Sequence, residues 1–280
     1  MMMINIKTEY IHESGDENIN EDSFVIGKNI FGVFDGATSM TQFKNKKGYT
    51  GAYIASNICK KVFKNEKSSL YKLAITANRE IRDQMERNKI DISKKENLWS
   101  TTIAVIKIDK KRNKFEWLQL GDSLIMVIYK DDTYKLMVND YDHDIETLVM
   151  YKKLADKKIK NIRQVLDKQL LKTRRLANKT YGVLNGEVVV NKFFKKGVEK
   201  LDNIKNILLF TDGLILPKKD PKKLDDFDTF IKLYLSGGFK KIKDYIKQIQ
   251  ASDPNCWKYP RLKQCDDMTG ISVFINNKTA

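Results

Sequence analysis

Short apolar stretches run through this chain, and five of them end or begin on a carboxylate. They are Asn20-Glu21-Asp22-Ser23-Phe24, Phe31-Gly32-Val33-Phe34-Asp35-Gly36-Ala37, Leu120-Gly121-Asp122-Ser123, Leu208-Leu209-Phe210-Thr211-Asp212-Gly213-Leu214 and Cys265-Asp266-Asp267-Met268-Thr269. A short apolar run bounded by turn residues reads as a buried strand. The strand fixes the direction of the acid at its end. In Asp35-Gly36 and Asp212-Gly213 the glycine lets the backbone turn and lets a ligand approach its carbonyl. One Asp-Gly after an apolar run is usually a turn and nothing more. Five acid-ended strands in one chain ask for a common reason. Carboxylates and carbonyls are hard oxygen ligands suited to Mg²⁺ or Mn²⁺. If the fold brings these acids together without a cation, each pushes the others' pKa upward.

The order of elements limits the architecture. Ser23–Gly27 and Ile30–Phe34 read as a hairpin across Lys28-Asn29. Gly48–Phe63 and Leu70–Arg87 carry apolar residues at helical spacing. Thr101–Ile108, Phe115–Leu120, Leu124–Tyr129 and Tyr134–Val138 form a run of four strands. Asp144–Ala177 is a Lys-rich helical stretch. Val188–Phe194 and Asn206–Phe210 return to strand, Phe227–Tyr234 and Phe239–Ile249 read as helices, and Thr269–Ile275 closes as a strand. Strands, then paired helices, then strands again do not make a regular βαβ alternation. They fit an α+β layered fold with mainly antiparallel sheets. Four prolines and no Ser/Gly-rich linker leave no boundary, so residues 1–280 read as a single domain.

Hydrophobic residues make up 41% of the 280, enough to pack a core. The formal net charge is +16, but lysines far outnumber arginines and are scattered along the chain. That pattern reads as a coding bias rather than a phosphate-reading face, which would favour Arg. Nucleic acid is therefore not expected as a partner. Three cysteines without a CxxC pair need no disulfide framework, although Cys256 and Cys265 flank a polar loop. Only two histidines, His12 and His143, argue against a His-rich zinc site. The N-terminus is too polar for a signal peptide, and no apolar run approaches ~18 residues, so the expected compartment is the cytoplasm and no membrane is expected as a partner. Trp99, Trp117 and Trp257 read as core or surface anchors.

Taken in order, NED-S-F, VFDGA, S-TT-I-A-V, LGDS, FTDGL and DDMTGISV resemble the metal-dependent protein serine/threonine phosphatases of the protein phosphatase 2C family. The likeness runs from Asn20 to Val273 and is nearest to a bacterial branch with DGAT after the first strand pair. Arg174-Arg175-Leu176-Ala177-Asn178 and Tyr181–Glu187 resemble that branch too. The resemblance implies a four-layer α-β-β-α sandwich with two central antiparallel β-sheets and a centre of two Mn²⁺ or Mg²⁺ ions. Asp35 would bridge both ions. Glu21 and the Gly36 carbonyl would hold one, and Asp212 and Asp266 the other. Asp22 would orient a water, and Asp122 with Asp212 would hold a weaker third ion. The reaction implied is attack of a metal-bridging water on phosphoserine or phosphothreonine in a protein substrate, formed by a cognate kinase.

Three positions depart from the family pattern. Glu17 stands where many members have an Arg that grips phosphate, and an acid cannot replace a bidentate guanidinium. Ala37, followed by Thr38, stands where many have a His proposed as general acid, which would leave protonation to a water on the metal. The fourth motif reads Asp266-Asp267 in place of Asp-Asn, with Asp267 a stand-in for Asp266. Arg174 or Arg175 is a candidate for the missing grip. These losses also motivate an alternative, a catalytically weak member that binds phosphoproteins. A haloacid-dehalogenase-type phosphatase needs D-x-D, which Asp35-Gly36-Ala37 lacks. An adhesion domain of the von Willebrand type needs D-x-S-x-S, but Ala37 occupies the first Ser position of Asp35–Ser39.

Overall fold

The computed structural model describes residues 3–16, 19–37, 43–139 and 143–278. Glu17, Thr38 and Ser39 lie outside the described residues. The chain opens with β1 (Met3–Glu13), β2 (Ser23–Ile26) and β3 (Ile30–Ala37), then α1 (Gly51–Phe63) and α2 (Leu70–Arg87). Next come β4 (Ser100–Asp109), β5 (Lys114–Leu120), β6 (Leu124–Tyr129) and β7 (Tyr134–Leu136). Three helices follow, α3 (Ile145–Asp156), α4 (Ile162–Val165) and α5 (Asp167–Arg175). The chain closes with β8 (Lys195–Lys200), β9 (Ile204–Phe210), α6 (Phe227–Ala251) and β10 (Met268–Lys278).

The strands form two five-stranded sheets, ordered β1-β10-β9-β6-β7 and β2-β3-β4-β5-β8, with antiparallel pairing throughout. Successive side chains of a strand point to opposite faces, and this sorts the core. In β3, Phe31 and Val33 join Ala104, Ile106, Ile125, Val127, Leu209 and Val273 in the layer between the sheets. Ile30 and Phe34 face the other way, onto Ala55, Phe63, Leu73 and Ile81 of α1 and α2. In β9, Leu208 and Phe210 pack on Phe230, Tyr234 and Ile242 of α6. The layers are therefore α1 and α2, one sheet, the other sheet, and α6: the α+β, α-β-β-α sandwich expected.

Each α1 and α2 start is capped. Thr50 Oγ1 accepts from Tyr53 N at 3.1 Å, and Ser69 Oγ from Lys72 N at 3.4 Å. Two expectations need correction. Val188–Phe194 is not a strand; it contains a 3₁₀ turn, Val188–Lys192. Val188 is 77% exposed while Val190 is buried in the cluster of Leu118 and Leu120, so the turn meets the core through one side chain and pairs with no strand. Asp144–Ala177 is three helices and not one stretch, interrupted where Lys158 and Asn161 take left-handed backbone angles. The expected division between Phe227–Tyr234 and Phe239–Ile249 holds, because α6 breaks where Gly237 and Gly238 take non-helical backbone angles. Strands β1 and β8 are additions. Among the described residues, no helix is long and apolar enough to cross a membrane.

Phe34 links core to site: its ring lies 5.3 Å from that of Phe63, and its neighbour is Asp35. We expect Phe34→Ala to lose about 3–5 kcal/mol in urea unfolding, the range for a buried aromatic deleted from a packed core. A loss under 1 kcal/mol would show that this packing does not anchor the strand.

Candidate metal centre

Strand parity also explains why the acids meet. Asp35 follows Phe31 and Val33 by steps of two, so it continues the face between the sheets. Asp22 shares the parity of Phe24, which packs against the same layer. The register puts all five acid segments at one end of the sandwich. Ser23 pairs with Phe34, Asp35 with Thr102, Leu124 with Phe210, and Gly270 with Phe210. A cleft of about 290 Å³ opens there, lined by Asp35, Gly36, Asp122, Asp212 and Asp266.

Close approach of backbone constrains the floor. A Cβ on Gly36 would lie 2.5 Å from the Glu21 carbonyl oxygen, and one on Gly213 would lie 1.9 Å from that of Asp267. Only glycine fits at either place. Glu21 sits behind Gly36: its carboxylate accepts from Thr50 Oγ1, its carbonyl from Ser56 Oγ at 2.6 Å. Asp22 is buried, and its Oδ2 accepts from Thr211 Oγ1 at 2.8 Å. Asp267 does not face the cleft. Its two oxygens accept from Gly15 N at 2.8 Å and Glu21 N at 2.7 Å. It ties the first motif to the last, which leaves Asp266 at the cleft.

The acids strain one another. Burial pushes the Asp35 carboxyl well above the ordinary range, and the charges of Asp212, Asp22, Asp122 and Asp266 push it further. Asp212 is raised by burial, then by Asp266 and Asp122, with a hydrogen bond from Asp35 offsetting part. Burial is the main cause at Asp22, which rises to about 8 against the bond from Thr211. Asp122 is raised by burial too, opposed by His143, whose Nδ1 lies 3.8 Å from its Oδ2. His143 in turn stacks on Tyr181 at 3.9 Å.

Among the described residues, no three of these side chains already surround one point as ligands do around a held ion. The donor set nevertheless fits a hard divalent cation. The donors are carboxylates and a backbone carbonyl, burial and then mutual repulsion raise the Asp35 and Asp212 carboxyls, and among the described residues Asp122 Oδ1 is buried with no hydrogen-bond partner.

The two candidate arginines separate. Arg174 lines the cleft, whereas Arg175 turns away and donates to Glu96 Oε1 at 2.6 Å. One cation escaped the motif reading. Lys263 Nζ donates to Asp266 Oδ1 at 2.6 Å and lines the same cleft. It lies in an irregular loop, where no periodicity signals which way a side chain points. All three cysteines are free, and burial raises the Cys256 and Cys265 thiols, away from a reactive thiolate.

The family described as protein phosphatase 2C matches residues 14–242. The chain belongs to that family. Its members are metal-dependent serine/threonine phosphatases that use two Mn²⁺ or Mg²⁺ ions, and this chain is an enzyme of that class. Solved structures share the protein phosphatase 2C fold. The serine/threonine phosphatase PstP/Ppp of Mycobacterium tuberculosis is 15% identical, covers 99% of this chain and 100% of its own, and superposes with a TM-score of 0.60. Stp1 of Staphylococcus aureus is 16% identical over 97% of this chain and 96% of its own, with a TM-score of 0.59. The catalytic domain of PstP in complex with two manganese ions is 16% identical over 98% and 99%, with a TM-score of 0.58. At such identities the likeness is one of fold. No curated protein matches the chain by sequence.

A raised carboxyl keeps a proton in the folded chain that the unfolded chain releases. Asp22, at about 8 against an ordinary 3.8, therefore lowers stability as pH climbs through that window. We expect chelator-treated protein to lose stability steadily from about pH 4 to about pH 8 in urea titrations. Saturating Mn²⁺ should flatten that slope. A metal-free chain that gains stability across the window would refute the crowding of the acids.

Proposed function

We propose that this protein phosphatase 2C enzyme removes phosphate from phosphoserine and phosphothreonine in proteins, with residues 1–280 acting as a single domain. The observation that carries the reading is the arrival of Asp35, Asp122, Asp212 and Asp266 at one cleft, with the charge of Asp22 near enough to act on Asp35. Asp35 would bridge two ions. Glu21 and the Gly36 carbonyl would hold one, and Asp212 and Asp266 the other. Asp122, whose Oδ1 has no hydrogen-bond partner among the described residues, would hold a weaker third with Asp212.

When bound, the paired cations supply an acidified water for in-line attack on phosphorus and offset charge on the phosphoryl oxygens. The chain's own groups orient and grip. Thr211 holds the Asp22 carboxyl in one direction, so that Asp22 can align a water. Gly36 and Gly213 keep side chains out of the floor. Arg174 is the reading's candidate for the guanidinium that Glu17 does not supply. A planar guanidinium matches two phosphoryl oxygens at once. No Ser, Cys or His nucleophile is required.

The same reading puts the enzyme in the cytoplasm, opposite a kinase that forms its phosphorylated protein substrate, with no membrane and no nucleic acid as partners. Pairing of cations supports the last point. Around the cleft Lys218 is paired with Asp225 and Arg261 with Asp253, so the excess charge is not concentrated into a phosphate-tracking groove.

Turnover of a chromogenic phosphate ester with Mn²⁺ tests the reading. EDTA and Asp35→Asn should each lower the rate by at least about a hundredfold. Activity that survives both sinks it. No turnover, combined with Mn²⁺-dependent retention of a phosphopeptide, would favour the binding module instead. In the same assay Arg174→Ala should raise KM about tenfold with kcat little changed, while Arg175→Ala stays near wild type. Equal effects of the two substitutions would remove Arg174 from the substrate site.

A further inference from the structure

Lys263 stands inside the ring of acids. Its ammonium lies 2.6 Å from Asp266 Oδ1, and its side chain is 22% exposed. The side chain lines the cleft together with Asp35 and Asp212. Burial alone would lower this ammonium; the charges of Asp266, Asp35 and Asp212 outweigh it and keep Lys263 protonated.

The loop that presents Lys263 is braced on both sides. The Arg261 guanidinium donates to Asp253 Oδ2 at 3.0 Å, to the Tyr259 carbonyl at 2.8 Å and to the Gln264 carbonyl at 3.0 Å. Asp253 is itself held by backbone N–H groups of Trp257, Lys258 and Tyr259. Downstream, Asp267 is fixed by Gly15 and Glu21. Lys263 is therefore delivered to Asp266 by a rigid frame, unlike a surface lysine that samples many rotamers.

We propose that Lys263 is a tethered cation on the Asp266 side of the centre that weakens binding of the second divalent ion there. The inference rests on the reading of Asp266 as a metal ligand. Asp266 Oδ1 already accepts two hydrogen bonds, from Lys263 Nζ at 2.6 Å and from Asp267 N at 2.9 Å, so a divalent ion meets a carboxylate whose charge is partly spent on the ammonium. An ammonium and a divalent cation a few ångströms apart also repel. The chain thus carries its own partial neutralisation of the acids. It makes the two ions unequal, because the ammonium bonds a ligand of the second.

Calorimetric Mn²⁺ titration and thermal unfolding of the full chain test this, in wild type, Lys263→Met and Lys263→Arg. Wild type should show one tighter and one weaker Mn²⁺ site. Lys263→Met keeps the stem and removes the charge, so the weaker site should tighten by about tenfold or more. Lys263→Arg should stay near wild type. Without metal, Lys263→Met should unfold at a lower temperature than wild type, and saturating Mn²⁺ should close that gap. An unchanged weaker site overturns the proposal. So does a loss of melting temperature that is equal with and without Mn²⁺, because packing alone would give that result. Should Lys263→Met fail to fold, Lys263→Gln takes its place with the same expected outcome. If wild type binds no Mn²⁺, the reading of the centre fails and this inference with it. If wild type binds two ions and the neutral variants leave both affinities unchanged, only the role of Lys263 fails.

Discussion

Like charges held at the ends of packed strands cannot move apart. Asp35 is the clearest case: Val33 and Phe34, just before it, are anchored in two different core layers. Its backbone is therefore fixed, and its carboxyl stays within a short side chain's reach of Asp212. The same holds at Asp22, whose neighbour Ser23 donates to the Ser56 carbonyl at 2.7 Å. Repulsion at this end of the sandwich is therefore sustained by burial elsewhere in it. A protein tolerates such crowding where a cation relieves it, and strained titratable groups gather at functional sites for this reason.

The surrounding hydrogen bonds make sense as a frame for that crowding. Asp267 accepts from the amides of Gly15 and Glu21, joining the start of the chain to its last motif. Thr211 donates to Asp22 and receives Thr269 N at 3.0 Å, joining three of the acid segments through one hydroxyl. Thr102 and Ser123 exchange a bond of 2.7 Å beside Asp35 and Asp122. None of these groups needs to touch a ligand. Each removes a direction in which a carboxylate could relax.

Most of the scaffold could be read from the sequence because two periodicities carry it. Leu70–Arg87 is a helix over the residues its apolar spacing marks, and Leu124–Tyr129 a strand likewise. The acids were legible for a related reason: each terminates an apolar run, and strand parity then fixes the face it occupies. What escaped lacks such a signal. β8, Lys-Lys-Gly-Val-Glu-Lys, is an edge strand whose lysines keep it from pairing further, so it shows no apolar face. Val188–Lys192 has strand-forming residues, but it meets the core through Val190 alone, from a 3₁₀ turn that pairs with no strand. Lys263 sits in a loop whose path depends on Asp253, Arg261 and Asp267 together, contacts that no local window contains.

The two arginines show where sequence likeness alone stops. Arg174 and Arg175 are adjacent on one helix, and successive helical residues point about 100° apart. They cannot both face the same cleft. Glu96, in the 3₁₀ turn Lys95–Asn97, takes Arg175 through two nitrogens and leaves Arg174 to the cleft. A family pattern records the pair; only the helix phase and the position of Glu96 divide its members. Ala37 carries no charge, so the carboxylates crowd one another with no part played by that position. Substrate grip and the carboxylate ring are separable here, and the chain has kept the part that the core enforces.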